Sequence, residues 1–405
     1  MFELIFKINS RLNEFIWGPV MIAAIVGAGL YLTVGNRFVQ FLKFPKVLKE
    51  TIVRKIQKHL EGDISPFAAL NVALAGTVGV GNIAGVATAI AAGGPGAIFW
   101  MWVSGFLGMA TKFSEVALGI KYRIHQTTGP MIGGPMMYIQ QGMGKNFKFL
   151  ACIFAVLGSL AAFGIGNMTQ ANSVAIGLTE FRIPRLFTGI FLTVAVGLVT
   201  IGGLKRIAHV AMFCVPFMCI LYFLGAVIII FLNIQRLPQT FILIFQSAFT
   251  PAAATGGFIG ATVRGAIRWG IARGVFSNEA GLGSAPMAHA TARTDHPARQ
   301  GMWGILEVFV DTIVVCSATA LAILITGVWK SGSTGSLLTM SAFQTVFGKQ
   351  LGFSIVVLCM VLTAYDTILA WGFYGETCSA YLFGARSQTN LQTSLAAADY
   401  NRLPG

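Results

Sequence analysis

The stretch that decides the fold is Ala75-Gly76-Thr77-Val78-Gly79-Val80-Gly81-Asn82, in the middle of the apolar run 66–92. Each glycine inside a helix costs about 1 kcal/mol relative to alanine, so this stretch unwinds easily. In lipid, unwound backbone is tolerated only where it faces protein or a water-filled cavity, and there its free groups can bind ions. Small residues also permit close helix packing. By itself, therefore, the stretch predicts either a broken helix or a tight helix contact.

Composition places the chain in a membrane. Of its 405 residues, 55% are hydrophobic and 10% are charged, and the mean hydropathy is +0.74. Several apolar runs exceed the roughly 18–20 residues that cross a bilayer, which predicts an all-α polytopic membrane protein. The net charge of +14 does not indicate a nucleic-acid partner, because the basic residues lie mainly in loops on one side of the predicted helices. We also expect no cleavable signal peptide.

Hydropathy predicts nine membrane-spanning segments, of which the second is the broken one. They cover residues 15–34, 66–92, 97–120, 149–177, 186–202, 207–233, 256–291, 302–327 and 351–383. We expect a basic amphipathic linker at 36–60 along the membrane surface, a partly buried external segment at 238–251 and a short external helix at 337–347. Loops after the odd-numbered spans hold most of the lysines and arginines. The positive-inside rule therefore predicts that these loops are cytoplasmic and that the N-terminus is outside.

Six cysteines lie within apolar segments and show no CxxC spacing. We therefore expect packed thiols, with neither disulfides nor metal ligands among them, and no cofactor. They are Cys152, Cys214, Cys219, Cys316, Cys359 and Cys378.

A second irregular stretch, residues 273–286, reads RGVFSNEAGLGSAP inside the seventh predicted span. Asparagine, glutamate, three glycines and a proline are costly inside a span unless the backbone opens there. Two such segments, each at the start of a set of helices, indicate a secondary transporter built from inverted repeats.

Five segments closely resemble the alanine or glycine:cation symporter family. They are residues 71–87 (NVALAGTVGVGNIAGVA), 129–138 (GPMIGGPMMY), 269–288 (WGIARGVFSNEAGLGSAPMA), 307–319 (EVFVDTIVVCSAT) and 371–383 (WGFYGETCSAYLF). The resemblance covers about residues 10–386. It implies a leucine-transporter-type inverted-repeat fold with one extra N-terminal helix, which couples sodium entry to the uptake of small neutral amino acids.

This resemblance divides the chain into six parts. They are an N-terminal extra helix (1–35), a basic linker (36–65), the first five-helix repeat (66–233), an external segment (234–255), an incomplete second repeat (256–384) and an unpatterned tail (385–405). Family members continue with two more helices. We therefore expect a second repeat of only three spans, and an inactive truncated transporter is one alternative.

The same resemblance implies a substrate site at the two breaks. Gly79-Val80-Gly81-Asn82 matches the Gly-x-Gly-Asn signature of the fold. The carbonyl groups of Ala75 and Val78 would face a sodium ion. The substrate-binding residues implied are Thr77, Gly79, Gly81, Phe276, Ser277 and Asn278. The positive end of the second half-helix would meet the substrate carboxylate.

The last span is expected to supply the remaining cation ligands. Thr363, Asp366 and Thr367 are at i, i+3 and i+4 and so share one helical face. The family usually has serine or threonine where this chain has Asp366. A carboxylate there could bind sodium more tightly, carry a proton instead, or simply face a water-filled cavity. Sodium and proton coupling both stay open.

Other charges within the spans have less specific interpretations. We expect Glu307 and Asp311, at i and i+4, to form hydrogen bonds to the broken helices. Three arginines of the seventh span could line an anion-attracting entrance or extend to the membrane surface; they are Arg264, Arg268 and Arg273.

A channel and an enzyme are the two alternatives to a transporter. A channel should show filter repeats, and an enzyme should show a nucleophile with a base or a metal motif. Neither pattern is present, so we expect a monomeric transporter in the cell membrane that is not an enzyme. Alanine, glycine and serine, in either stereochemistry, all remain possible substrates.

Overall fold

The computed structural model describes residues 2–53, 60–125, 129–179, 181–250 and 262–384. Within these ranges the chain is helical, and its only β-type pairings are the isolated bridges Ile64–Ala292 and Ile124–Ile132. The prediction of an all-α fold is confirmed.

The main helices follow one another with short connections. In chain order they are α1 (Phe2–Ile16), α2 (Pro19–Gly35), α3 (Pro66–Thr77), α4 (Gly81–Gly93), α5 (Ala97–Lys121), α6 (Lys145–Thr179), α7 (Arg185–Thr200), α8 (Gly203–Leu232), α9 (Leu237–Phe249), α10 (Val263–Asn278), α11 (Ala285–His289), α12 (Pro297–Thr326), α13 (Gly335–Phe347) and α14 (Lys349–Phe383).

Length and composition identify some of these helices as membrane spans. Four are long and apolar enough within the described residues, namely α6, α8, α12 and α14, and the bent pair α3–α4 makes a fifth. Helices α2 and α7 are apolar but have only 17 and 16 residues. Helix α5 has 25 residues and includes Lys112 and Glu115. The count of nine spans stays a prediction.

The predicted break in the first core helix is confirmed. Helix α3 ends at Thr77, α4 begins at Gly81, and their axes differ by 49°. The Ser65 side chain caps the start of α3 by accepting a hydrogen bond from the Ala68 amide at 3.1 Å. Nearby residues thus determine both ends of α3. Serine satisfies free amides at its start, and glycine lets the backbone leave the helix at its end.

The second irregular segment is also broken into two helices, as the sequence predicts. Helix α10 ends at Asn278, and Glu279, Gly281 and Gly283 have φ values of 55°, 91° and 77°. A right-handed helix cannot continue through left-handed φ angles, so the chain leaves the helix there and resumes at Ala285 as α11. Residues 251–261 of this predicted span lie outside the described residues.

The N-terminal part also differs from the prediction. The first span begins at Pro19, because Gly18 is extended and Pro19 cannot donate to a preceding turn. Helix α1 precedes it and was not predicted. The linker forms three short helical stretches, Val39–Leu42, Phe44–Leu48 and Lys49–Val53, where one continuous amphipathic helix was expected. Residues 54–59 of the linker lie outside the described residues.

The two segments predicted to be external are both helical. The segment predicted at 238–251 is helix α9, which packs on α5, where the Trp100 indole donates to the Ala248 carbonyl at 3.2 Å. The short external helix predicted at 337–347 is α13.

The core surrounds the break and the long helix α14. Ala73, Ala75 and Val78 are buried, and the middle of α14 is buried over several turns. Glycines allow the neighbouring helices to pack closely against this core. A Cβ on Gly166 of α6 would lie 2.2 Å from the Trp371 Cβ, and one on Gly274 of α10 would lie 2.0 Å from the Ser104 Oγ. Glycine therefore breaks a helix at some positions and permits close helix packing at others.

All six cysteines are free thiols, as predicted, and three of them are buried. Among the described residues, no group of three or more histidine, cysteine, aspartate and glutamate side chains could hold a metal ion.

Candidate substrate and cation site

The two helix breaks face each other in the middle of the fold. A Cβ on Gly81 would lie 3.9 Å from the Phe276 Cδ1, so the aromatic ring lies directly against the start of α4. Phe276 is half-buried, whereas Ser277 and Asn278 behind it are buried. The structure thus brings together Gly81 and Phe276, two of the residues expected to bind substrate.

A single carboxylate on α12 connects both breaks. Asp311 accepts hydrogen bonds from the Asn82 Nδ2 at 2.7 Å and from the Ser277 Oγ at 3.0 Å. It also accepts one from the Thr312 Oγ1 at 2.8 Å, and its side chain is fully buried. We call Asn82, Ser277 and Asp311 the clamp. Hydrogen bonds to a buried carboxylate are strong, so the clamp fixes the two breaks relative to each other.

Asn82 also organises the backbone of the first break. Its Oδ1 accepts a hydrogen bond from the Gly79 amide at 3.0 Å. One of the free amides at the start of α4 is thereby satisfied by the chain itself, as capping of helix N-termini requires. Asn82 was predicted only as part of the signature, and its link to Asp311 was not.

Part of the expected cation site is also assembled. The Thr367 Oγ1 on α14 donates to the Ala75 carbonyl at 2.9 Å, and it would lie 2.9 Å from a Cβ on Gly79. The Val78 amide still bonds to the Leu74 carbonyl at 2.7 Å, and Val78 has left helical geometry with ψ 86°. Thr363, one turn from Thr367, donates to the Met360 carbonyl of its own helix. Oxygen atoms from α3 and α14 therefore meet beside the break.

Asp366 points elsewhere on α14. It lies about 100° around the helix from Thr367, because successive helical residues are rotated by that angle. The side chain is fully buried, and neither oxygen has a hydrogen-bond partner among the described residues. A buried carboxylate without a partner favours binding a cation or a proton.

The side chains of Thr77 and Asn278 are engaged within the protein. The Thr77 Oγ1 donates to the Ala73 carbonyl at 3.2 Å. The Asn278 Nδ2 donates to the Thr312 Oγ1 at 3.0 Å, and the Asn278 Oδ1 accepts from the Ala280 amide at 3.0 Å. The Asn278 amide therefore stabilises the second break in this structure. Its role as a direct substrate ligand stays a prediction.

Two residues beside the first break were missed from sequence. The Gln170 Oε1 on α6 would lie 3.8 Å from a Cβ on Gly79, is buried and has no hydrogen-bond partner among the described residues. The Tyr374 hydroxyl on α14 would lie 3.0 Å from a Cβ on Gly76 and is likewise buried and unpartnered. An amide side chain inside an apolar span was the signal for Gln170. Tyr374 lies in one of the motifs that carry the family resemblance.

A buried ion pair contacts α11, the helix that follows the second break. The Lys112 Nζ lies 3.2 Å from the Glu307 Oε1, and both side chains are fully buried. The Glu307 Oε2 is 3.0 Å from the His289 Nε2 on α11, and the His289 Nδ1 is 2.8 Å from the Gln300 Nε2. The expectation that Glu307 and Asp311 bond to the broken helices is confirmed.

Glu279, the residue that ends α10, is held by two partners. Its carboxylate accepts hydrogen bonds from the Trp371 Nε1 at 3.1 Å and from the Ser284 Oγ. These bonds join the second break to α14, which also contacts the first break through Thr367. The long helix thus contacts both breaks.

An entrance cavity of about 210 Å³ ends at Phe276. The Arg273 guanidinium lies 5.4 Å from the centre of the Trp269 ring and 5.8 Å from that of Phe276. Arg268 also lines this cavity, so two of the three arginines considered from sequence face it. No acidic residue is among the described residues that line it, which makes the entrance favourable for an anionic group.

Arg123, just after α5, donates hydrogen bonds to three backbone carbonyl groups. The Arg123 guanidinium donates to the carbonyl groups of Ala290 and Ala292 at 3.0 and 2.6 Å, and to that of Glu61 at 2.9 Å. These bonds join the segments before α3 and after α11. None of these residues lines the cavity that reaches Phe276.

Solved structures place this architecture among transporters with a leucine-transporter-type fold. The crystal structure of MhsT in complex with L-phenylalanine matches with a TM-score of 0.59 at 15% identity, covering 84% of this chain and 80% of that chain. The manganese transporter of Eremococcus coleocola matches with a TM-score of 0.54 at 13% identity, covering 85% of this chain and 73% of that chain. The fold class is confirmed, and it is that of membrane transporters.

The family follows from sequence comparison. The chain belongs to the sodium:alanine symporter family, whose profile matches residues 2–398. An uncharacterized transporter of Haemophilus influenzae is 47% identical over 383 residues, which are 94% of this chain and 83% of that protein. The sodium/alanine symporter AgcS of Methanococcus maripaludis is 45% identical over 384 residues, covering 93% and 83%. A Bacillus subtilis relative, the probable sodium/glutamine symporter GlnT, is 36% identical over 388 residues, covering 94% and 78%.

Family and fold together make the chain a multi-pass membrane transporter in a family of amino-acid–cation symporters. The resemblance predicted from the sequence motifs is confirmed.

Proposed function

We propose that the chain couples sodium entry to the uptake of a small neutral amino acid, alanine or glycine, across the cell membrane. The observation that carries the proposal is the meeting of the two breaks, with Phe276 against Gly81 and Asp311 bonded to both sides. Helix breaks at the centre of an inverted-repeat fold are where substrate and coupling ion bind. The name of the Methanococcus relative supports the choice of sodium and alanine.

The substrate lies between the two breaks in this proposal. The Gly81 amide at the start of α4 binds its carboxylate, and Thr77 and Gly79 line the same side, where the Gly79 amide stays bonded to Asn82 unless the substrate replaces that bond. Phe276 closes the site towards the entrance cavity, while Ser277 and Asn278 hold the second break in place. We add Gln170 to the site, because its buried Oε1 can accept a hydrogen bond from the substrate ammonium group.

Sodium lies between α3 and α14 in this proposal. The carbonyl groups of Ala75 and Val78 and the hydroxyl groups of Thr363 and Thr367 supply oxygen ligands, which hard cations prefer. Thr367 already contacts the Ala75 carbonyl, so an ion at this position would replace an existing bond and link α3 and α14 through both oxygens.

A second candidate is proton coupling, and Asp366 favours it. The carboxylate is buried, and neither of its oxygens has a hydrogen-bond partner among the described residues. A proton would neutralise it at low cost in an apolar setting, and a sodium ion would do the same. The proposal of sodium coupling includes Asp366 as a cation ligand, and proton coupling is the alternative.

Uptake into proteoliposomes tests the function. The purified chain is reconstituted, and the initial uptake of radiolabelled alanine and glycine is measured with an inward sodium gradient at fixed pH. We expect accumulation above the external concentration only with sodium. Equal uptake with sodium, potassium or choline outside would contradict sodium coupling.

A matched pair of variants locates the ion. Thr367→Val removes the hydroxyl that bonds to Ala75, whereas Thr377→Val on the same helix removes one that bonds only to the Phe373 carbonyl. We expect Thr367→Val alone to raise the sodium concentration needed for half-maximal uptake. Equal effects of both variants would indicate general destabilisation.

The orientation of the chain is also a proposal. We propose that the entrance cavity opens outside the cell and that the Arg123 end faces the cytoplasm, as the distribution of basic residues predicts. Maleimide labelling of a cysteine introduced in an exposed loop at each end of the bundle would test this assignment in intact cells.

A further inference from the structure

A large apolar groove separates the beginning of α2 from α10. Its volume is about 850 Å³, and it shares Trp17 and Arg268 with the entrance cavity. Most of its lining is apolar, and Arg264 and Arg268 are its only charged lining residues within the described part of the chain. Apolar side chains from both helices form the rest of the groove: Ile22, Ala23, Val26, Ile267 and Ile271.

The second half of α2 packs closely on α5. A Cβ on Gly29 would lie 2.9 Å from the Leu107 Cβ on α5, and the Asn36 Nδ2 donates to the Ser114 Oγ at 2.9 Å. Both contacts lie in the second half of α2 or just after it. The groove is lined by its first half, from Pro19 to Val26. The groove therefore lies along the beginnings of both helices, where α10 carries the arginines.

The geometry points to an anionic phospholipid as the occupant, with its headgroup on Arg264 and Arg268 and an acyl chain between α2 and α10. Arginine binds phosphate through paired hydrogen bonds, and no acidic residue in the described lining competes for it. Trp17 and Trp100 also line the groove, and tryptophan prefers the headgroup level of a bilayer. A groove that is apolar on both sides and open to lipid is filled more favourably by an acyl chain than by water.

The site is placed to influence the transporter. Arg268 lies ten residues before Asn278 on α10, the helix that carries Phe276 at the substrate site. A bound lipid would support the outer half of α10 while the clamp holds its end. Occupancy of the groove is expected to affect how readily α10 moves relative to α2, which is separate from the binding of amino acid or sodium.

Native mass spectrometry of the purified full chain tests the assignment. Phosphatidylglycerol and phosphatidylcholine with the same acyl chains are offered in equal amounts, and retained lipid is counted. We expect one phosphatidylglycerol per chain, with a preference of at least about fivefold over phosphatidylcholine. The double variant Arg264→Gln/Arg268→Gln should lose this preference. Arg236→Gln is the matched control, because Arg236 is exposed and outside the groove.

A second variant tests the acyl-chain half of the groove. Ala23 is exposed in the groove lining, so Ala23→Phe fills the space without disturbing the core. It should lower retention of both lipids by a similar factor and leave the secondary structure and elution volume unchanged. Equal retention of the two lipids by the parent chain would overturn the assignment, as would an unchanged preference in the arginine double variant. Displacement of the lipid by soluble alanine would overturn it too, because the arginines would then serve the substrate.

Discussion

Substitution of Asp311 in the clamp tests whether the two breaks depend on each other. In Asp311→Asn the shape of the side chain is kept, but one of its two acceptor oxygens becomes a donor. The oxygen that remains can still accept from Asn82, which now lies 2.7 Å from the Oδ1. The Thr312 hydroxyl, at 2.8 Å from the Oδ2, then faces an amide nitrogen that cannot accept, whereas the Ser277 hydroxyl can still donate to the remaining oxygen at 3.2 Å.

The magnitude follows from those contacts. A hydrogen bond to a charged group is worth about 1.5–3 kcal/mol and a neutral one about 0.5–1.5 kcal/mol. Asp311→Asn weakens the Asn82 bond from charged to neutral and removes at least one hydroxyl bond. We therefore expect a loss of about 2–4 kcal/mol in the coupling between the breaks. If the clamp must form for transport, kcat/KM for alanine should fall by about 30-fold to several hundred-fold, at tenfold per 1.4 kcal/mol.

The assay is initial alanine uptake in proteoliposomes at saturating sodium, with elution volume and thermal unfolding as folding controls. Asp295→Asn in the exposed loop before α12 is the matched charge control. The swap Asn82→Asp/Asp311→Asn restores a carboxylate–amide pair and keeps an acceptor for the Gly79 amide. It should recover part of the lost activity. Uptake by Asp311→Asn within twofold of the parent chain, in folded protein, would refute the role of the clamp.

Three further predictions concern buried polar groups. Thr367→Val should raise the half-saturating sodium concentration at least about fivefold, since one buried bond partner is worth about 1–3 kcal/mol; no difference from Thr377→Val in sodium titrations of uptake would contradict it. Asp366→Asn should weaken sodium dependence without changing amino-acid selectivity. If external acid instead stimulates uptake by the parent chain and not by the variant, the carboxylate is a proton carrier. Lys112→Met should destabilise the chain by about 3–5 kcal/mol, because it leaves Glu307 buried without its cation, and Lys112→Met/Glu307→Gln should recover most of the thermal stability; a single variant as stable as the parent would show that the ion pair is dispensable.

Sequence by itself determined the helical membrane class and the positions of both breaks. Gly79 and Gly81 in an apolar run predict unwinding because glycine is costly in a helix, and the structure has its break at that place. The Asn-Glu-Ala-Gly segment after Phe276 predicts a second opening for the same local reason. The family was also available from sequence, since motifs at both breaks carry the resemblance. These features depend on residues within a few positions of one another, and local energetics decides them.

Tertiary structure decided which groups meet. Asn82 and Asp311 are 229 residues apart, and Ala75 and Thr367 are 292 residues apart, so no local pattern pairs them. Helical spacing predicts that Thr363, Asp366 and Thr367 share one face of α14. It could not show that Thr367 bonds to the Ala75 carbonyl while Asp366 has no hydrogen-bond partner among the described residues, or that the Asn278 amide is already bonded to Thr312 and Ala280. Periodicity defines the direction of a side chain only relative to its own helix axis. The partner in that direction is set by how the helices pack, and close contacts such as that between Gly166 and Trp371 determine that packing.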